Sequence, residues 1–157
     1  KYNTAEFLAC VERLRRYFPG CALTADMITG FPGETEADQA AAVAFLEQVG
    51  FAAVHVFPYS RRPGTKADAM PEQLSHAVKS ARAHEAQRVA DACKQRYLVQ
   101  QVGQTLPVLF ETEHDGSWVG HSDNYCLVRA AGDDLRGLVK NVKISAVSGQ
   151  MLVGDLV

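Results

Sequence analysis

A chain of 157 residues with 47% apolar and 22% charged side chains has the composition of a soluble globular protein and excludes a disordered one. That length allows one ordinary domain, or a piece of one joined to a small module. A net charge of −2 argues neither for nor against a nucleic-acid partner, and no apolar run approaches the ~18 residues of a membrane span, so no membrane partner is expected.

The chain opens at Lys1 without a methionine or signal peptide and enters helical spacing at once, as expected of a fragment of a longer protein. Over residues 3–17, Phe7, Leu8, Val11, Leu14 and Phe18 recur at helical intervals, and Asn3 with Glu6 forms a potential capping box. Arg13, Arg15 and Arg16 fall in the last turns, where cations suit the helix dipole, and Pro19-Gly20 ends the element. From Leu23 an apolar run carries one acid, Asp26, and breaks at Gly30-Phe31-Pro32-Gly33. A carboxylate inside such a strand needs a partner or the mouth of a barrel. Thr35, with Asp38 following, starts a second helix whose apolar face is Ala42, Val43, Phe45, Leu46 and Val49, and Gly50 stops it. Phe51 to Phe57 reads as a strand buried on both faces. His55 is its polar exception, and a histidine there is more often a hydrogen-bonded core residue than part of a site. Strand, glycine turn, helix and strand make a βαβ unit, whose ligands sit at the carboxyl ends of the strands.

Met70-Pro71-Glu72-Gln73 opens the longest element, with proline in its first turn, and Leu74, Val78, Ala81, Val89, Cys93 and Tyr97 carry its stripe toward Gly103. Such a helix extends roughly 45 Å. It either links two bodies or packs against a barrel. From Gln104 the period becomes two: TLPVLFET, SWVGHS, YCLVRAA, LRGLVKNVKISAVS and MLVGDLV are separated by HDG, GDD and SGQ turns. Five short strands predict a small closed β-barrel of the oligonucleotide-binding (OB-like) type, with an SH3-like barrel as the alternative. The expected class is thus α/β plus all-β: residues 1–70 as an α/β portion, 71–100 as a long linking helix, and 101–157 as the β-barrel. Residues 71–100 hold five Lys/Arg against three acids, and 101–157 hold four against seven, so the basic patch falls on the helix.

Gly30 and Gly33 let backbone approach a ligand closely, and Pro32 stiffens the turn between them. Glu34 and Thr35 sit at a helix start, whose free N–H groups favour anions. Neither a P-loop nor a GxGxxG pattern is present. Cys10, Cys21, Cys93 and Cys126 lack the short spacing of a metal or cluster motif. They read as reduced thiols of a cytoplasmic protein, with no metal ligand among them.

TADMITGFPGET followed by HVFPYSRRPGT resembles the radical S-adenosylmethionine (radical SAM) tRNA methylthiotransferases, in the late strands of their (β/α) partial barrel. Met70-Pro71, the long helix, and a C-terminal module with VGHSDNY and GLVKNVKISAV, similar to the TRAM domain, extend the likeness nearly end to end. HVFPYS with RPGT is most similar to the branch acting on threonylcarbamoyl-adenosine beside the tRNA anticodon; the isopentenyl-adenosine branch and the branch modifying a ribosomal protein fit less well.

The resemblance implies that Ile28, Gly30, Gly33 and Glu34 lie near the adenine of S-adenosylmethionine, and that Thr24 and Asp26 are polar positions of the same strand. It implies that Phe57, Tyr59, Ser60 and Arg62 border the same pocket, with Gly64 and Thr65 completing the RPGT element. An arginine such as Arg62 suits a carboxylate or a phosphate. Arg61 stands where the family commonly has proline. By the same resemblance, Trp118, His121, Asn124, Tyr125, Arg129, Lys140 and Lys143 are candidates for tRNA contact, through stacking and phosphate pairing. Trp118 and Tyr125 are equally good core residues, and His121 and Ser122 stand where Arg and Thr are usual. The CxxxCxxC motif of the radical-generating 4Fe-4S cluster is absent, as is the region carrying a second 4Fe-4S cluster. Both clusters are expected on the rest of the same polypeptide, leaving this chain without a catalytic residue of its own and inactive alone. The rest of that polypeptide is an expected partner, and the open barrel edges of this chain are expected to pair with another copy or to aggregate. A non-catalytic RNA-binding module is the competing reading.

Overall fold

In the computed structural model, which describes residues 2–157, the first element is helix α1, Thr4–Tyr17. Its capping box forms as read: Glu6 N donates to Asn3 Oδ1 and Asn3 N donates to Glu6 Oε2, both at 2.9 Å. Helix α2, Glu36–Val49, starts from the equivalent box of Thr35 and Asp38 and stops at Gly50, where φ is 64°. The last turn of α2 has no basic residue. Arg15 supplies the charge from α1 instead, donating to Val49 O at 2.6 Å and Gly50 O at 3.2 Å.

Strands β1, Thr24–Thr29, and β2, Ala53–Pro58, pair in parallel, with Asp26 opposite His55 and Ile28 opposite Phe57. Side chains alternate across the pleat, and the helices cover one side. Ala25, Met27, Val54 and Val56 turn toward a core of Val11, Leu46, Val49, Phe51, Ala86 and Ala90. Thr24, Asp26, Ile28, His55 and Phe57 face the other way and are exposed. The reading of Phe51 to Phe57 as buried on both faces is thereby corrected: Ile28 is 56% and Phe57 51% exposed. His55 is likewise no core residue. Among the described residues it has no hydrogen-bond partner, and it stacks on Phe57, with 6.5 Å between ring centroids.

Helix α3, His76–Gln101, begins later than its proline suggested. Glu72 adopts a left-handed φ of 61°, which breaks helical continuity. Ser75 opens the helix, accepting from Val78 N through its hydroxyl and from Lys79 N through its carbonyl. At 26 residues the helix is about 39 Å long. Its buried stripe is Ala83, Ala86, Ala90, Cys93, Tyr97 and Leu98, whereas Val78 and Ala81 are exposed and Leu74 precedes the helix. Ala86 and Ala90 join the core beneath the sheet.

The chain divides into two compact units, one ending at Lys94 and the other running from Gln95 to Val157. In the second unit, β3 (Thr105–His114), β4 (Ser117–Ser122), β5 (Leu127–Ala130), β6 (Val139–Ser148) and β7 (Met151–Leu156) close as a five-stranded ring in the order β3-β4-β5-β7-β6. Val108, Phe110, Val128, Val142, Ile144 and Leu152 fill it. Two corners close the ring by one device. A register shift after Phe110 faces Gly120, and a second after Ile144 faces Gly154. A Cβ at Gly120 would enter the Leu109 carbonyl, and one at Gly154 the Lys143 carbonyl. Bulge and glycine together permit the sharp bend. No helix among the described residues is long and apolar enough to cross a membrane.

Candidate ligand site at the strand ends

The two strand ends meet. Tyr59 N donates to Thr29 O at 2.8 Å, and the Tyr59 and Phe31 rings lie edge to face, 5.2 Å between centroids. Gly30 and Gly33 have φ of 71° and 79°, conformations that glycine adopts without strain. Beneath them Thr29 is fully buried, and both its Oγ1 and the Tyr59 hydroxyl lack a hydrogen-bond partner. Thr24, Asp26, Ile28 and Phe57 continue this region along the open face of the sheet.

Glu34 is already engaged. Its Oε1 accepts from Gly30 N at 2.9 Å and from Arg82 at 2.6 Å, while its carbonyl accepts from Arg82 at 2.9 Å. With side chains only 15% and 11% exposed, Glu34 and Arg82 hold the turn together, so Glu34 is a structural residue here rather than a free ligand group. Ser60 and Arg62 are exposed beyond the tips. The Arg62 carbonyl accepts from Thr65 Oγ1 and N, closing a turn that includes Gly64, while its guanidinium has no partner among the described residues. Arg61 is tied instead to Asp68, at 2.8 Å to the carboxylate and 2.9 Å to the carbonyl.

Three participants escaped sequence reasoning. His55 joins Asp26 on the open face, a placement signalled only by its alternation with Phe57. Lys79 and Arg82 reach the tips from α3, and no local pattern announces contacts spanning 20 and 48 positions.

The tRNA-contact candidates divide. Trp118 is 6% exposed and belongs to the interior of the ring, which removes it from any stacking surface. Asn124 is committed to structure: it accepts from Ser122 Oγ at 2.6 Å and donates to Tyr97 Oη and Gln101 Oε1 at 3.1 Å each. That network presents Tyr125, 85% exposed at a φ of 62°, with its ring 6.0 Å from His121. His121 Nδ1 lies 2.6 Å from Glu111 Oε2. His121 pairs with Leu109 and Leu109 with Val139, an exposed row that leads to Lys140. Lys143 is exposed, its ammonium donating to Gly103 O at 2.6 Å. Arg129 is half-buried, and its Nε has no partner. Among the described residues no three His, Cys, Asp or Glu side chains are grouped to hold a metal ion.

No family model matches the chain. Curated proteins do. It is 36% identical over 150 residues to threonylcarbamoyladenosine tRNA methylthiotransferase MtaB of Bacillus subtilis, covering 92% of this chain and 33% of the relative. It is 38% identical over 159 residues to tRNA-2-methylthio-N(6)-dimethylallyladenosine synthase of Maricaulis maris, covering 99% and 35%. The protein of that name from Nitratidesulfovibrio vulgaris is 35% identical over 164 residues, covering 99% and 36%. Over nearly its whole length the chain is therefore similar to part of the tRNA methylthiotransferases, and it spans about one third of the length of the curated relatives it matches.

Proposed function

We propose that this chain is the C-terminal portion of a cytoplasmic radical SAM tRNA methylthiotransferase. Its first unit forms one wall of the S-adenosylmethionine pocket, as part of a (β/α) barrel. Its second, read as a TRAM-type OB-like barrel, meets tRNA near the anticodon. The observation that carries this reading is the open face of β1 and β2, where exposed Thr24, Asp26, Ile28, His55 and Phe57 lead to the joined strand ends.

S-adenosylmethionine fits the chemistry of that face. Ile28 and Phe57 offer apolar contact to an adenine, and Asp26 accepts from a hydroxyl or ammonium. The chemistry it supplies when bound is methyl donation and radical generation. The residues of this chain orient it and shield it from water. An iron–sulfur cluster does not fit here, because the cysteines are scattered: Cys10 is exposed, Cys21 half-buried, Cys93 and Cys126 buried. Cluster ligands therefore belong to other parts of the polypeptide, and the chain alone is inactive. β1 and β2 form a two-stranded sheet whose outer edges are free to pair with the remaining strands of the parent barrel or with another copy.

The substrate we assign is a tRNA carrying threonylcarbamoyl-adenosine. Support comes from HVFPYS with RPGT and from the guanidinium of Arg62, which suits the carboxylate of that group; a dimethylallyl group offers no charge to pair. The test incubates the complete enzyme with tRNAs carrying each modified adenosine. Methylthio product on the threonylcarbamoyl form is expected. Product only on the dimethylallyl form would reassign the branch, and none on either would reject the activity. Asp26→Ala and Arg62→Ala are each expected to lower product formation at least as strongly as removal of residues 101–157. Unchanged turnover in both would reject the site. For the isolated chain, tRNA affinity is expected to be weak and to fall steeply with salt.

A further inference from the structure

Lys79 lies across both strand ends at once. Its methylenes pack on Gly30 so closely that a Cβ there would stand 2.5 Å from Lys79 Cγ and 3.1 Å from its Cβ. Its ammonium reaches the other tip, 3.3 Å from Tyr59 O and 5.1 Å from the Tyr59 ring centroid. Three residues further, on the same side of α3, Arg82 grips Glu34, whose carboxylate in turn holds Gly30 N. Two cations of one helix thus bind two turns that lie far apart in sequence.

The interactions at Tyr59 are directional. The cation above the aromatic face fixes where the ring points, and the charge-assisted hydrogen bond to the same residue's carbonyl fixes the backbone that carries it. That ring borders Phe31, so the lysine also sets the distance between the two tips. Both cations are engaged by protein atoms at the turns, Lys79 by Tyr59 and Arg82 by Glu34.

We propose that Lys79 and Arg82 are positioning residues: a strap from α3 that holds the Gly30 turn and the Tyr59 tip in one binding-competent arrangement. The strap itself is read from geometry, and its effect on affinity rests on the proposed S-adenosylmethionine site.

The first test needs no ligand. Amide hydrogen exchange is compared in the 157-residue chain and its Lys79→Met variant, which keeps the methylenes against Gly30 and deletes the charge. The Tyr59 amide is expected to exchange about three- to tenfold faster, with amides of the β-ring unchanged, and Lys79→Arg should restore most of the protection. Unchanged exchange at Tyr59 in Lys79→Met overturns the strap. The second test uses the complete enzyme. Lys79→Met should raise the KM for S-adenosylmethionine about three- to tenfold with kcat nearly constant, and Lys79→Arg should recover it. An unchanged KM overturns the effect on affinity. A wild-type enzyme that binds no S-adenosylmethionine rejects the site, while exchange still decides the strap.

Discussion

Replacing Gly30 with alanine probes the packing on which the strand-end geometry depends. At a φ of 71° a side chain costs roughly 1–2 kcal/mol. The new methyl would also stand 2.5 Å from Lys79 Cγ and 3.2 Å from Lys79 Cα. The first contact can swing away, but the second is helix backbone anchored by buried Ala83 and Ala86. Overpacking of this kind adds about 1–3 kcal/mol. Reduced freedom of the unfolded chain returns about 0.4–1 kcal/mol, so the net loss should be about 2–4 kcal/mol. Gly64→Ala is the control: its φ is 83° with nothing within 4 Å, so only the backbone effect remains, about 1 kcal/mol. Urea unfolding followed by circular dichroism at the helix band separates them, because the Gly30→Ala midpoint should fall by about 1–2 M at an ordinary denaturant slope. Adding Lys79→Ala, which removes the Cγ, should recover about 1 kcal/mol as a coupling between the two positions. If Gly30→Ala costs no more than Gly64→Ala, the close packing of α3 on this turn is wrong.

Glu34→Ala leaves Gly30 N without its acceptor and Arg82 with only the Glu34 carbonyl in a nearly dry site, and should destabilise the chain by about 3 kcal/mol in the same assay. A change within 0.5 kcal/mol would mean that water replaces the carboxylate. Arg15→Met keeps the stem and removes the two bonds to the end of α2, an expected loss of about 1–2 kcal/mol read from the thermal midpoint, which a neutral substitution would contradict. Asp38 is held below the usual carboxylate pKa, first by the Thr35 hydroxyl and then by the Thr35 amide. A depressed acid contributes fully above its unfolded-state pKa and loses that contribution as pH falls through the folded value. The stability gap between wild type and Asp38→Asn should therefore shrink on acidification below the usual carboxylate range, and a gap independent of pH would refute the assignment.

Capping boxes, the Gly50 stop and the five alternating segments were legible in the sequence because each depends on residues only a few positions apart. Asn3 needs only Glu6, and Thr35 only Asp38. The onset of α3 misled for an equally local reason: Pro71 suits a helical first turn, but Glu72 leaves helical φ and Ser75 provides the better cap. The spacing of FAAVHVF could not reveal that helices cover only one side of β2, so His55 read as interior. Composition likewise could not place Trp118 inside the ring and Tyr125 outside it.

The sequence by itself determined the order of elements, the change of period at Gln104 and the two turn motifs whose likeness reaches the tRNA methylthiotransferases. Tertiary structure alone decided which face of the sheet stays open, that Glu34 is spent on Arg82, and that Lys79 spans both strand ends. The physical reason is range. Helix caps and strand alternation are settled by neighbouring side chains, whereas an ion pair or a cation over a ring exists only after the folded backbone has brought distant residues within a few ångströms.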